Sequence, residues 1–202
     1  MQLEVSKMGV VAAYRMLTGL ITPRPIAWVT TISATGVVNL APFSFFNLFG
    51  ANPPIVVFSP TLTRAAAKKD TLNNIEANGE FVIHASTESH AEQINQSSAS
   101  LPPEESELTG LNLATVPSVL IRPPRLRDVP FALECKRHQV IPIGQGAIGT
   151  NLIIGEVLMI HVDEAVLDAE GQPDPRKIRS IARLGGEYWC KTQDLFTMVR
   201  PG

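Results

Sequence analysis

Lys68-Lys69-Asp70-Thr71 lies directly before the helical run TLNNIEANG. In that run Leu72 and Ile75 are spaced for a buried stripe, Asp70 or Thr71 is a suitable N-cap and Gly79 falls just past the end. Free backbone N–H groups at such a helix start, the positive end of its dipole and two ammonium groups suit a phosphomonoester. An ordinary capped helix with lysines upstream has the same sequence, so the pattern alone leaves both readings open.

A second cluster is Asn39-Leu40-Ala41-Pro42-Phe43-Ser44-Phe45-Phe46-Asn47, which concentrates phenylalanine in a chain that is only 6% aromatic. Apolar walls with a few placed hydroxyl and amide groups, here Ser44 and Asn47, are what a flat heteroaromatic ring with several hydrogen-bonding edges requires. Packing of the three phenylalanines in an ordinary core is the competing reading. Upstream, Thr22-Pro23-Arg24-Pro25-Ile26-Ala27-Trp28-Val29-Thr30-Thr31 holds Arg24 between prolines, which suits a guanidinium presented to phosphate and equally suits a surface ion pair.

Other motifs point away from chemistry. Gly144, Gly146 and Gly149 spell GxGxxG, but the residues that follow, Asn151 to Val162, are β-branched and read as a strand. A dinucleotide fingerprint needs a helix there, so the glycines read as a turn between two long strands. His84, His90, His138 and His161 do not form a metal pattern, and HExxH, CxxC, GxSxG and the phosphate-loop motif are all missing. The cluster Arg122, Arg125 and Arg127 could meet a 2′-phosphate but reads more simply as a solvated basic edge.

These groups must be positioned by many short elements, since 16 prolines punctuate 202 residues. Runs rich in β-branched and aromatic residues predict strands over 26–32, 37–40, 55–59, 81–85, 131–141 and 152–162. Helices are expected over 10–20, 71–78, 89–98 and 176–183, and Ser33 to Gly36 reads as a hairpin turn. Strands outnumber helices without regular alternation, which favours a mainly β barrel with appended helices over a doubly wound sheet. The segment 97–115, rich in Ser, Pro and Glu, reads as a flexible flap or a surface arm.

With 45% hydrophobic and 18% charged residues, the chain is too apolar for a disordered state. It is expected to form one domain over 1–202 that buries roughly 70% of its unfolded surface without staples. Cys135 and Cys190 therefore need not pair. A net charge of −2 argues against a nucleic-acid partner, and the apolar run around 153–160 is broken by Gly155 and Glu156, so no membrane span is expected. The opening MQLEVSKMGV does not read as a secretory signal, which sets a cytoplasmic location as the expectation.

Taken in order, TPRPIAWVTT, NLAPFSFFN, PPIVVFSP, KKDTLNNI, FVIHAS, LIIGEVLMIHVDE and ARLGGEYW resemble the flavin reductase-like family with the FMN-binding split barrel. The resemblance runs from about Tyr14 to the end. It implies a Greek-key-type split β-barrel, a homodimer and one FMN near each side of the subunit interface. Thr30, Thr31, Ser44, Phe45 and Asn47 would surround the flavin ring and ribityl chain. Arg24, Ser59, Lys68, Lys69, Asp70 and Thr71 would lie at the phosphate, and Arg183, Gly185, Gly186 and Tyr188 would approach from the partner or close the pocket.

The implied activity is reduction of FMN by NADH or NADPH, with electrons passing to free flavin, oxygen or a partner such as a monooxygenase. The flavin carries such chemistry, so no acid/base pair and no metal is expected among the residues. Two alternatives share the fold: an FMN-bound electron carrier without nicotinamide turnover, and a split barrel that holds haem or nothing.

Overall fold

The computed structural model describes residues 1–202. Its elements in chain order are α1 (Val10–Leu20), β1 (Ala27–Ile32), β2 (Val38–Phe43), β3 (Phe46–Ala51), β4 (Pro54–Phe58), α2 (Asp70–Asn78), β5 (Glu80–His84) and α3 (Ala91–Gln96). The short β6 (Thr115–Val116) and β7 (Arg125–Leu126) lead to the long strands β8 (Phe131–Pro142) and β9 (Asn151–Val162). The chain then forms α4 (Pro175–Ile178), β10 (Ile181–Arg183) and β11 (Trp189–Lys191).

Seven strands make one sheet in the order β2-β1-β5-β8-β9-β4-β3, with every neighbouring pair antiparallel. β2 and β3 sit at opposite ends of that order, yet only Ser44 and Phe45 separate them in sequence. The sheet must therefore curl until its ends meet, and a covalent link rather than a hydrogen-bonded ladder joins them. That is a barrel split between β2 and β3, as the resemblance implies. Ring contacts across the interior confirm the closure: Phe43 on β2 lies 5.2 Å from Phe58 on β4, which lies 5.4 Å from Phe81 on β5.

Alternation along β1 divides the molecule into two cores. Ala27 and Val29 face the barrel interior with Phe58, Phe81 and Ile153, and α2 plugs that interior with Leu72 and Ile75. Burial of those two side chains contributes about 1.5–3 kcal/mol each. Trp28 faces the other way, into a second core with Leu40, Ile94, Leu111, Leu126 and Ile181. Gly155 on β9 is required for the first core, because a Cβ there would lie 2.3 Å from the Phe81 ring.

Several expectations are corrected. The helix expected over 176–183 ends at Ile178, where Arg179 takes a left-handed conformation (φ 54°), and Ile181 to Arg183 pair with Trp189 to Lys191 as a small hairpin. Asp174 caps that helix and Pro175 opens it, but burial of Ile181 and Ala182 favours the hairpin. β3 was not expected as a strand, since most of its residues are exposed. β2 continues through Pro42, which an edge strand accommodates.

The 97–115 segment is tied to the sheet through Ser106 and Glu107. Ser106 Oγ donates to the Val38 carbonyl and the Leu40 N–H donates to the Glu107 carboxylate (2.8 Å), which caps the free edge of β2. The glycine run at 144–149 is a strand connection, as expected. A Cβ on Gly149 would stand 2.6 Å from the Gly144 oxygen, and β9 rather than a helix follows. Both cysteines are free, Cys135 buried and Cys190 partly so. No helix is long and apolar enough to cross a membrane.

Candidate functional site

Three lobes of one groove meet where the barrel is split. The first, of about 270 Å³, is bordered by Tyr14, Pro42, Ser44, Arg183 and Trp189. The second, about 240 Å³, opens at the start of α2 between Lys69, Asp70 and Thr71 on one side and Ser98, Ser100 and Glu107 on the other. A third, about 630 Å³, is lined by Arg15, Arg24, Arg64, Lys69 and Arg183 and contains no carboxylate. Tyr14 and Arg183 are common to the first and third lobes, Lys69 and Thr63 to the second and third, and Pro42 to the first and second.

The start of α2 carries the strongest electrostatic signal. Lys69 itself occupies the N-cap position and no side chain caps the helix, in place of the Asp70 or Thr71 cap expected. The first N–H groups are therefore free for an external anion. Lys68 and Lys69, indistinguishable in sequence, have different roles. Lys68 Nζ lies 2.5 Å from Glu76 and is neutralised by it. Lys69 has no carboxylate partner, stands 5.6 Å over the Phe43 ring, and is held below the ordinary lysine range by burial.

Behind this helix start, Asn39 joins three elements. Its amide donates to Glu107 (3.2 Å) and accepts from the Thr71 hydroxyl (2.8 Å), linking the capping segment, β2 and α2. Burial raises the Glu107 pKa and the nearby Asp70 adds to the rise, against the Leu40 N–H that lowers it. Ser59 is buried at the end of β4; its N–H donates to the Phe45 carbonyl (2.9 Å), and its hydroxyl has no partner. Ser59 borders none of the three lobes, so the features a phosphate-bearing ligand would satisfy are the uncapped helix start and the unpaired ammonium.

Arg24 does not present its fork to this groove. Its Nη1 donates to the carbonyls of Thr18 (2.5 Å) and Ile21 (2.8 Å) and its Nη2 to that of Leu184 (2.9 Å), which staples the end of α1 to the β10–β11 hairpin. Burial, before any other cause, lowers its pKa. Thr30 and Thr31 are both fully buried and, as neighbours on a strand, face opposite cores. The Thr30 hydroxyl donates to the Pro124 carbonyl (2.7 Å), and that of Thr31 accepts from Asn74 (3.0 Å). Neither lines the groove.

Ser44 does line it, from the link between β2 and β3. Phe45 stands edge-on to Tyr14 with centroids 6.2 Å apart, whereas Asn47 is exposed on β3 and accepts the Leu48 N–H. Arg183 borders two lobes, donating to the Gly186 carbonyl (2.6 Å) and lying 4.6 Å over the Trp189 ring. Gly185 permits close packing, since a Cβ would come within 2.8 Å of Gly19, and Gly186 lines the third lobe. Tyr188 is exposed and borders none of the three.

Sequence reasoning missed Tyr14, Trp189, Arg15 and Arg64. They lie on separate elements that only the fold brings to one groove, and no local spacing marks them.

The family model for the flavin reductase like domain matches residues 19–177. The chain belongs to this family. Its flavin reductase-like fold is shared by nitrilotriacetate monooxygenase component B from Bacillus cereus, which is 34% identical with a TM-score of 0.92 over 98% of each chain. A second similar structure, 2-nitrobenzoate 2-nitroreductase of Pseudomonas fluorescens, is 30% identical with a TM-score of 0.88 over 100% of this chain and 96% of the other. An uncharacterized protein of Bacillus subtilis is 42% identical over 93% of each chain. Membership of this family supports a flavin ligand.

Proposed function

We propose that this chain is an FMN-binding reductase that takes electrons from NADH or NADPH. The phosphate would sit at the start of α2, held by the free N–H groups and the Lys69 ammonium. The ring would lie in the lobe bordered by Tyr14, Ser44 and Trp189. When bound, FMN supplies the redox chemistry, accepting a hydride from the nicotinamide together with a proton and returning both electrons to an acceptor.

The residues act by holding and shielding. Lys69 and the helix start fix one end of the cofactor, Ser44 offers a hydroxyl to a ring edge, and Trp189 with Pro42 keeps water from that lobe. Asp70, Thr71 and Asn39 set the direction of the helix start rather than take part in hydride transfer. The observation that carries this reading is the unpaired Lys69 at an uncapped helix opening into the same groove as Ser44.

A second copy of the chain completes the proposed unit. Leu48 and Phe49 on β3, Leu17 and Leu20 on α1, and Phe196 and Met198 near the C-terminus are large apolar side chains left exposed. The likeness to a monooxygenase component B supports an oxygenase as the electron acceptor. Anaerobic mixing of FMN-loaded protein with each nicotinamide tests the reading: bleaching of the flavin band near neutral pH is expected. A protein that binds no flavin, or whose flavin neither nicotinamide reduces, would refute it, and sedimentation equilibrium checks the dimer.

A further inference from the structure

The largest lobe of the groove is more cationic than a single phosphomonoester needs. Of its five basic side chains, Arg24 is committed to three carbonyls, Arg183 to Gly186 and Trp189, and Lys69 to the start of α2. Arg15, on the groove side of α1, and Arg64, in the turn after β4, remain, and neither forms an ion pair. The sequence cluster that once looked suited to a second phosphate is neutralised. Arg122 pairs with Glu80 (2.9 Å), Arg125 stands 3.9 Å from Glu134, and Arg127 pairs with Asp128 (3.1 Å).

We propose that Arg15 and Arg64 form the subsite for the 2′-phosphate of a nicotinamide dinucleotide and make this chain prefer the 2′-phosphorylated donor. The inference rests on the reductase reading and adds the donor's identity to it. A ligand in this lobe borders both other lobes, through Tyr14 and Arg183 towards the ring and through Lys69 towards the cofactor phosphate. A donor whose adenosine end meets the two free guanidiniums would point its nicotinamide end along these shared walls towards the ring. Two planar forks with no competing carboxylate suit a phosphomonoester dianion, whose oxygens accept charge-assisted bonds from both.

The test uses the FMN-loaded protein and two isomeric probes. By isothermal titration, 2′,5′-ADP is expected to bind at least tenfold more tightly than 3′,5′-ADP, which carries the same charge. In Arg15→Ala/Arg64→Ala that difference disappears, and the ratio of kcat/KM for NADPH over NADH falls by tenfold or more. Equal binding of the two isomers, or a ratio unmoved by the double substitution, would overturn the subsite. If neither nicotinamide is oxidised, the reductase reading fails on its own, while the isomer comparison still decides the subsite. An unchanged FMN affinity in the variant excludes simple damage to the groove.

Discussion

The cleft at the Glu134 end of the barrel and the groove along its split are lined by similar residue types, yet their charges are settled differently. The first is a single space of about 760 Å³ bordered by Arg125, Arg127, Asp128 and His161. There Arg127 faces Asp128, and the buried Glu134 carboxylate accepts from the Val119 and Leu120 N–H groups and from His161, each at 2.7 Å. Burial alone would raise the Glu134 pKa, but those hydrogen bonds outweigh it and hold the group below its ordinary range. In the groove, by contrast, Lys69, Arg15 and Arg64 have no carboxylate partner. Size does not distinguish a structural network from a binding site here; cations without carboxylates do, since even Arg125, whose buried Nε lacks a hydrogen-bond partner, stands 3.9 Å from Glu134.

The comparison is broken most severely by removing the carboxylate of the closed network. Glu134→Ala strands two backbone N–H groups and is expected to cost about 3–5 kcal/mol of stability, read by chemical denaturation, while FMN affinity of the folded fraction stays as it was. A comparable loss of FMN affinity would put the cofactor at that end instead.

Acid acts on the same end of the molecule. His84 is buried, donates from Nδ1 to the Trp28 carbonyl and accepts the Leu126 N–H at Nε2, so it is neutral in the fold, and burial holds its pKa at about 4, below the ordinary histidine value of 6.5. Between those values the unfolded chain binds the extra proton, so stability falls as pH drops through that window. The loss amounts to about 3 kcal/mol from pH 7 to pH 4. Denaturation midpoints across that range should show it, and His84→Gln should flatten the profile; an equally steep profile in the variant would remove His84 as the cause.

At the open end the expected effects fall on binding. Lys69→Ala removes a charge-assisted contact worth about 1.5–3 kcal/mol, whereas Lys68→Ala loses only an exposed pair with Glu76 and should change FMN affinity less than threefold. Because burial lowers the Lys69 pKa, wild-type affinity should also begin to decline at a more alkaline pH that still leaves an ordinary lysine charged. A decline that persists in Lys69→Ala would assign the titration elsewhere. The smallest effect is expected for Arg127→Ala, which should leave both melting temperature and FMN affinity unchanged, since its pair with Asp128 is exposed.

Much of the frame was legible in the residues. The β-branched runs marked six of the seven barrel strands, and the KKDT spacing located the start of α2. β3 escaped because exposed Leu48 and Phe49 break the pattern of a half-buried strand, and β10 because Arg179 reverses the chain where helical spacing appeared to continue. The site was legible only in part, for physical reasons. Glu76 neutralises Lys68 from eight residues further along, and one of the carbonyls that claim Arg24 comes from Leu184, 160 residues away in sequence. Thr30 and Thr31 illustrate the same limit, since adjacency in sequence places them on opposite faces of β1.

Equilibrium titration of flavin-free protein with FMN and with riboflavin, in wild type and in Lys69→Ala, isolates the phosphate from the ring. FMN should bind wild type at least about tenfold more tightly than riboflavin, equivalent to about 1.4 kcal/mol, with most of that advantage lost in the variant. Equal affinity for the two flavins in wild type would contradict the placement of the phosphate at the start of α2.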